Sequence, residues 1–397
     1  MSQSKNYILD TNVLIENPQS IDILRNGSEN NVYVPYHVLM ELNKLKSEPR
    51  LSHIVSSIVD NLMKNKKYIR FITKNGLSTS LTDITDNHIL SEIKSNPEIQ
   101  EPILVTNDKI FQLQASMMDI HSEEFRHSRP FESESQLYTG FRDEDESPIP
   151  NSFSWENGKP VFYGVTGKKI INYTLDIWKI TPRSVYQNLA LELMQNPEID
   201  LVTIQSEAGF GKTFLALATA LELVLSKKQY SKILIVKPTH EIGPKLGYLP
   251  GDISEKIAPY IRYILLLLQK LHDIRKAGKI FIDADDSSLK LNPKKIEILP
   301  LTFVRGMTIE NSFVIIDETQ NLSRYEIRSL LSRMGEKVKC VCLGDTRQVD
   351  NPHLNEFNNG LNWIVKKMKG LNNYAHLVLK GDKSRGPITD MVIKSRL

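Results

Sequence analysis

The sequence predicts an α/β protein of two parallel-sheet domains, and three observations predict it. Short apolar strands alternate with helix-patterned segments over about the first 125 residues. An acidic stretch then interrupts the pattern. Strand and helix signals resume near Trp178 and continue to the end of the chain. Such alternation is what parallel sheets with crossover helices produce.

The first strand is read at Tyr7-Ile8-Leu9 and the second at Val32-Tyr33-Val34. His53 to Lys64 carries apolar residues at helical spacing, and Ile103-Leu104-Val105 reads as a buried strand. Glu132 to Glu146 holds six acids against the single base Arg142, with Pro148 and Pro150 following, and reads as an exposed linker. Lys159 to Tyr173 reads as a small β-hairpin turning at Gly164 to Gly167. The expected divisions are 1–128, a linker with hairpin at 129–177, and 178–397.

A length of 397 residues allows two domains or three small ones. The hydrophobic fraction of 40% and charged fraction of 24% are those of an ordinary soluble protein. A net charge of +3 does not by itself mark a nucleic-acid partner. The two cysteines, Cys340 and Cys342, alternate along one strand and read as small residues on one face. No disulfide framework is implied, which suits a reducing cytoplasm. None of the nine histidines has zinc-type spacing. The start of the chain has no apolar stretch of signal length, and Ile264 to Leu268 is too short to span a bilayer. A cytoplasmic protein with no membrane partner is expected.

Leu201 to Ile204 is a β-branched strand, Ser206 to Gly211 a small turn, and Phe214 onward a strong helix. Strand, glycine-bearing turn and helix give the motif Ala208-Gly209-Phe210-Gly211-Lys212-Thr213 the setting of a phosphate-binding loop. Backbone N–H groups there cradle phosphate oxygens, Lys212 reaches the β- and γ-phosphates, and Thr213 holds Mg²⁺. Ser206 stands where the general pattern has glycine, which is tolerable if its φ stays negative. Ser312 to Ile316 is a buried strand ending in Asp317 and Glu318, suited to magnesium and to activating the attacking water. A third strand ends in Gly344-Asp345-Thr346-Arg347-Gln348, whose polar groups, Gln348 foremost, could sense the γ-phosphate. Arg333 and Arg385 are candidates for stabilising charge on the transferring group, against a surface ion-pair reading of equal weight. Gln187 is a candidate reader of the adenine edge. As a lone helical glutamine it would more often be plain surface.

These motifs, with Phe303-Val304-Arg305-Gly306, Lys237-Pro238, Gly247 to Gly251, Asp317 to Asn321 and Gly344 to Asp350, resemble the PhoH family over about residues 178–397. That family consists of P-loop ATPases of RecA-like fold related to superfamily-one helicases. The sequence departs from it at Ser206, at Thr319 where members usually have Ala, and at Met307 where they usually have Arg. The resemblance implies ATP-dependent work on RNA, and a homo-oligomer that is often a hexameric ring. In a ring, Arg385 would complete a neighbour's site.

Asp10 ends the first strand, Glu41 lies in a helical run, Asp86 opens another, and Asp108 follows the strand ending at Val105. Each alone reads as a helix cap. Brought to one sheet edge, four carboxylates would need cations, and oxygen donors select Mg²⁺ or Mn²⁺. Leu9-Asp10-Thr11-Asn12, Glu41, Asp86-Asn87 and Thr106-Asn107-Asp108 resemble the PIN domain, a metal-dependent ribonuclease fold, over about residues 5–125. Tyr138-Thr139-Gly140 also resembles the PIN–PhoH architecture. The expected function is ATP-driven remodelling of single-stranded RNA coupled to its cleavage. A nucleotide-switched RNA-binding or assembly protein, and a DNA-directed motor, are the alternatives.

Overall fold

A computed structural model describes residues 4–47, 51–73, 85–125, 130–131, 133–142, 149–207, 209–238, 253–275, 282–283, 290–291, 295–304, 306–351, 354–381, 386 and 391. The chain divides into two compact units, Met1–Arg129 and Pro130–Leu397.

The first unit comprises β1 (Asn6–Leu9), α1 (Thr11–Glu16), α2 (Ser20–Arg25), β2 (Asn31–Pro35), α3 (Tyr36–Leu45), α4 (Ser52–Asn65), β3 (Ile69–Ile72), α5 (Thr85–Lys94), β4 (Pro102–Val105), α6 (Lys109–Met117) and β5 (His121–Glu123). The strands form one parallel sheet in the order β3-β2-β1-β4-β5. Helices cover it, so its central strands are buried on both faces and read as continuous apolar runs. Ile8, Leu9, Val34, Val38, Ile58, Leu104 and Phe111 pack in one core.

The second unit begins with an antiparallel sheet of β6 (Ser152–Glu156), β7 (Lys159–Gly164) and β8 (Gly167–Ile170). The hairpin at Gly164 to Gly167 forms as expected, but β6 was not foreseen. Its signal was Asn157-Gly158 between apolar runs. Both residues have positive φ, 49° and 73°, as a two-residue type I′ hairpin turn requires.

There follow α7 (Val185–Gln195), β9 (Leu201–Gln205), α8 (Lys212–Leu221), β10 (Lys232–Lys237), α9 (Ile253–Arg275), β11 (Ile282–Asp283), β12 (Lys290–Leu291), β13 (Ile296–Pro300), α10 (Leu301–Val304), β14 (Ser312–Ile316), α11 (Arg324–Leu331), β15 (Val338–Gly344), α12 (Gly360–Met368) and β16 (Tyr374–Val378). A six-stranded parallel sheet runs β13-β10-β14-β15-β9-β16. Its side chains alternate between two cores: Phe313, Ile315, Val341 and Leu343 face one, and Val314, Ile316, Cys340 and Cys342 face the other. The two cysteines thus share one strand face, free and buried.

Glu134 to Gln136 are exposed as expected of the acidic stretch, but much of the 129–177 division packs into the second unit. Phe153 and Phe162 are buried in the core of the large sheet, and Phe131 and Tyr138 pack with Val365 of α12. Val378 donates its backbone N–H to the Thr139 carbonyl at 2.9 Å, so the segment lies along the edge strand β16. Gly140 (φ +90°) sits so tightly there that a Cβ would fall 2.2 Å from the His376 carbonyl oxygen. The acids Glu132 and Asp143 to Glu146 lie outside the described residues, as does Gly247 to Gly251.

Candidate functional site

β9 delivers the chain to the phosphate loop at the C-terminal edge of the large sheet, where ligands of parallel sheets bind. Gly209 and Gly211 have φ of 93° and 81°, and Gly211 is the residue from which α8 starts. Positive φ there turns the backbone into the helix without a Cβ penalty. Ser206 is not among the residues at positive φ. Its N–H donates to the Gly344 carbonyl at 3.1 Å, and serine does the work of the expected glycine without strain. Lys212 Nζ folds back on the Ser206 carbonyl at 3.3 Å.

β14 ends beside this loop. Thr213 Oγ1 donates to Asp317 Oδ1 at 3.3 Å. Asp317 is fully buried, and its Oδ2 has no hydrogen-bond partner. Burial, then the neighbouring Glu318, pushes its pKa up to about 6, against the opposing pull of Lys237 and Lys212. An unpartnered carboxylate oxygen beside a hydroxyl offers the hard oxygen donors that a cation such as Mg²⁺ takes. Glu318 adopts the left-handed conformation, φ 52°, which a non-glycine residue takes only when its surroundings hold it there.

A cleft of about 2120 Å³ is lined by Gly209 to Thr213, Lys237, Glu318 and Gln348, with Asp317 buried behind Thr213. Three contributors were not assigned from sequence. Lys237 is one, on a motif quoted without a role. Gln320 bridges Glu318 to the end of β15. Arg347 lines the cleft and pairs with Glu207 at 2.6 Å and Glu134 at 3.1 Å.

Two expectations change. Gln187 is in the cleft, but its amide is engaged by backbone: Nε2 donates to the Phe210 carbonyl at 3.0 Å and Oε1 accepts from Arg183 N–H at 2.7 Å. It braces the phosphate loop from within the cleft. Arg333 is not in this cleft. Its carbonyl accepts from Ile309 N–H at 2.9 Å, ahead of β14, which puts it at the sheet edge opposite Asp317. It lines a small separate cavity with Leu301, Val304 and Glu326. α11 carries the chain from one edge to the other, and sequence proximity to Asp317 hides that. Ala208 and Arg385 lie outside the described residues.

In the first unit, Asp10 follows β1 and is buried. Its Oδ1 accepts from Thr11 N–H and its Oδ2 from Thr106 Oγ1, both at 2.6 Å. Thr11 Oγ1 donates to Glu41 at 2.6 Å, and Asp108 Oδ1 caps α6 through Ile110 and Phe111 N–H at 2.8 and 3.2 Å. Burial raises the Asp10 pKa to about 7, opposed by the Thr106 hydrogen bond and reinforced by Asp86 and Glu41. Burial also raises Asp86, with Asp108 and Glu41 adding to it. The four carboxylates therefore share one edge and feel one another. They are not drawn into a ligating group: among the described residues no three His, Cys, Asp or Glu side chains are placed to hold a metal ion. Like charges settle instead on neighbouring hydroxyls and amides, so the cap reading holds for Asp10 and Asp108 alongside the shared edge.

A model of the PhoH-like protein family matches residues 179–395, and a PIN domain model matches residues 7–126. Protein PhoH2 of Bacillus subtilis is 30% identical over 442 residues, spanning 96% of this chain and 98% of that protein. Protein PhoH2 of Thermobispora bispora is 27% identical over 437 residues, with 98% and 96% covered. Protein PhoH of Escherichia coli is 37% identical over 152 residues, 38% of this chain and 40% of that one.

Proposed function

The chain belongs to the PhoH-like protein family, with a PIN domain ahead of its P-loop ATPase domain, and from that premise we propose that ATP hydrolysis at the Lys212 cleft drives remodelling of single-stranded RNA that the Asp10 edge cleaves. The observation that carries the reading is the buried, half-satisfied Asp317 carboxylate beside Thr213, a site built for a cation rather than for packing. Lys212 turns from the Ser206 carbonyl to the β- and γ-phosphates. Thr213 and Asp317 would hold Mg²⁺, which would offset charge on the phosphate oxygens. Glu318 accepts the proton of the water that attacks the γ-phosphorus, and ADP leaves with its bond to that phosphorus broken. Gln348 senses the γ-phosphate.

In the first unit, Asp10, Glu41, Asp86 and Asp108 share one edge without forming a ligating group, and would have to close together to hold Mg²⁺ or Mn²⁺. An all-carboxylate donor set, in which burial and neighbouring acids raise the pKa of Asp10 and Asp86, fits a hard divalent ion, which would supply Lewis acidity for phosphodiester cleavage. Thr106 and Thr11 orient Asp10 and Glu41 through the hydrogen bonds already formed. The working form is a homo-oligomer, a hexameric ring, in the cytoplasm. Among the described residues no helix is long and apolar enough to cross a membrane.

The test incubates the full chain with labelled single-stranded RNA and DNA, with and without ATP, in Mg²⁺ or Mn²⁺. Asp10→Asn should abolish RNA cleavage and spare ATP turnover, and Lys212→Ala should do the reverse to turnover. RNA cut equally well by Asp10→Asn sinks the nuclease half. Binding of ATP without turnover favours a nucleotide-switched binding protein, and a preference for DNA favours a DNA motor.

A further inference from the structure

Gln187 offers at most the edge of a base a partner, and the face of a base needs another surface; the cleft offers an aromatic one. Trp155 lines the same cleft as the phosphate loop and is 39% exposed. The other two tryptophans, Trp178 and Trp363, are buried at 3% and 8%. Phe141 stacks behind Trp155, with ring planes 6° apart and centroids 5.8 Å apart. Tyr186 stands edge-on to it at 6.4 Å and touches Phe141 at 5.6 Å.

The placement is fixed from three directions. The Asn157-Gly158 turn sets the β6–β7 register, pairing Phe153 with Phe162 and Trp155 with Pro160. Strand alternation then puts Trp155 on the face of Phe153, which is buried in the core against α7. The Thr139-Gly140-Phe141 segment is bonded to Phe153 on one side and to Val378 on the other, which seats Phe141 behind the indole. Finally, Tyr186 precedes Gln187, whose amide holds Phe210 of the phosphate loop. A continuous path therefore runs from phosphate loop to exposed indole. A tryptophan face left in water forgoes burial, and this one opens onto a cleft that also contains phosphate-binding groups.

We propose that Trp155, backed by Phe141 and flanked by Tyr186, is the surface on which the base of the bound adenine nucleotide stacks. The segment preceding the parallel sheet is then part of the nucleotide site. Stacking accepts any π-face, so this wall supplies affinity more than choice among bases. The proposal rests on the Lys212 cleft being the ATP site.

The test compares Mg-ADP with Mg-pyrophosphate, which lacks the base, on the full chain by calorimetry. Trp155→Ala should weaken ADP roughly five- to hundredfold while pyrophosphate stays within about twofold, and Trp155→Phe should recover most of the ADP affinity. ADP, but not pyrophosphate, should quench tryptophan emission of the unsubstituted protein, and Trp155→Phe should remove that response. Unaltered ADP affinity in Trp155→Ala, or equal loss of ADP and pyrophosphate, overturns the proposal. Pyrophosphate bound as tightly as ADP by the unsubstituted protein overturns the base wall alone. Binding of neither overturns the ATP-site reading with it.

Discussion

Gln320 donates its buried side-chain amide to the Glu318 carboxylate at 2.8 Å. The same Nε2 donates to the Gln348 carbonyl at 2.8 Å, and Oε1 accepts from Asp345 N–H at 3.1 Å. One amide thus joins the ends of β14 and β15 behind the cleft. Gly344 leaves room for it, since a Cβ there would fall 2.7 Å from Gln320 Oε1. The proposed base, Glu318, is held by a buried residue that does not line the cleft.

Gln320→Ala should therefore lower kcat for ATP hydrolysis by roughly ten- to hundredfold, because a small misplacement of a reacting group is costly in rate. It should also lower stability by about 1–3 kcal/mol through the Asp345 N–H left buried without an acceptor. Steady-state kinetics with a thermal unfolding series separates the two. An unchanged kcat in a folded variant would show that Glu318 is aimed by something else.

Gln187→Ala should loosen the phosphate loop by removing the Phe210 and Arg183 contacts. Affinity for ATP, GTP and CTP should fall together, each by roughly fivefold to tenfold, the worth of about one lost hydrogen bond. Competition binding with the three nucleotides checks this. A loss confined to ATP would return Gln187 to reading the adenine edge.

The architecture was legible because parallel strands buried on both faces are uninterrupted apolar runs. Ser312 to Ile316 and Val338 to Gly344 stand out for that reason, and the motifs at their ends follow. What was hidden depended on partners distant in the chain. Gln187 looked like a base reader because its spacing from the loop is visible and its bonds to Phe210 and Arg183 are not. Arg333 reads as a candidate for stabilising the transferring group, yet α11 carries it to the far edge of the sheet. The segment at Tyr138 to Phe141 looked solvated because acids surround it. Tyr138 is buried against α12 nonetheless, and Phe141 is half-buried against β6.

Gly140→Ala tests that segment. The added Cβ would meet the His376 carbonyl at 2.2 Å, and φ of +90° is strained for any L side chain. Stability should drop by about 2–4 kcal/mol from the clash and backbone strain combined. Denaturant unfolding measures it. A loss below about 0.5 kcal/mol, the usual range for surface substitutions, would mean that the strap does not dock on β16.

His376 gives the strap's docking site a dependence on pH. The ring is buried, Nδ1 lies 2.7 Å from Thr203 Oγ1, and the Tyr138 ring is 5.8 Å away. Burial lowers its pKa from 6.5 to about 3, against weaker opposing contacts with Tyr138 and Thr203. Between those values the unfolded chain binds a proton that the folded chain refuses. Stability from this group is therefore complete above pH 6.5 and is lost as pH falls towards 3. From pH 6.5 to 4.5 the loss should be about 2–3 kcal/mol. His376→Gln keeps a polar partner for Thr203 and removes the titration, so its unfolding free energy should fall less steeply over that window. Parallel slopes for the two proteins would show that His376 is protonated in the folded state, and that the Thr203 pocket admits its charge.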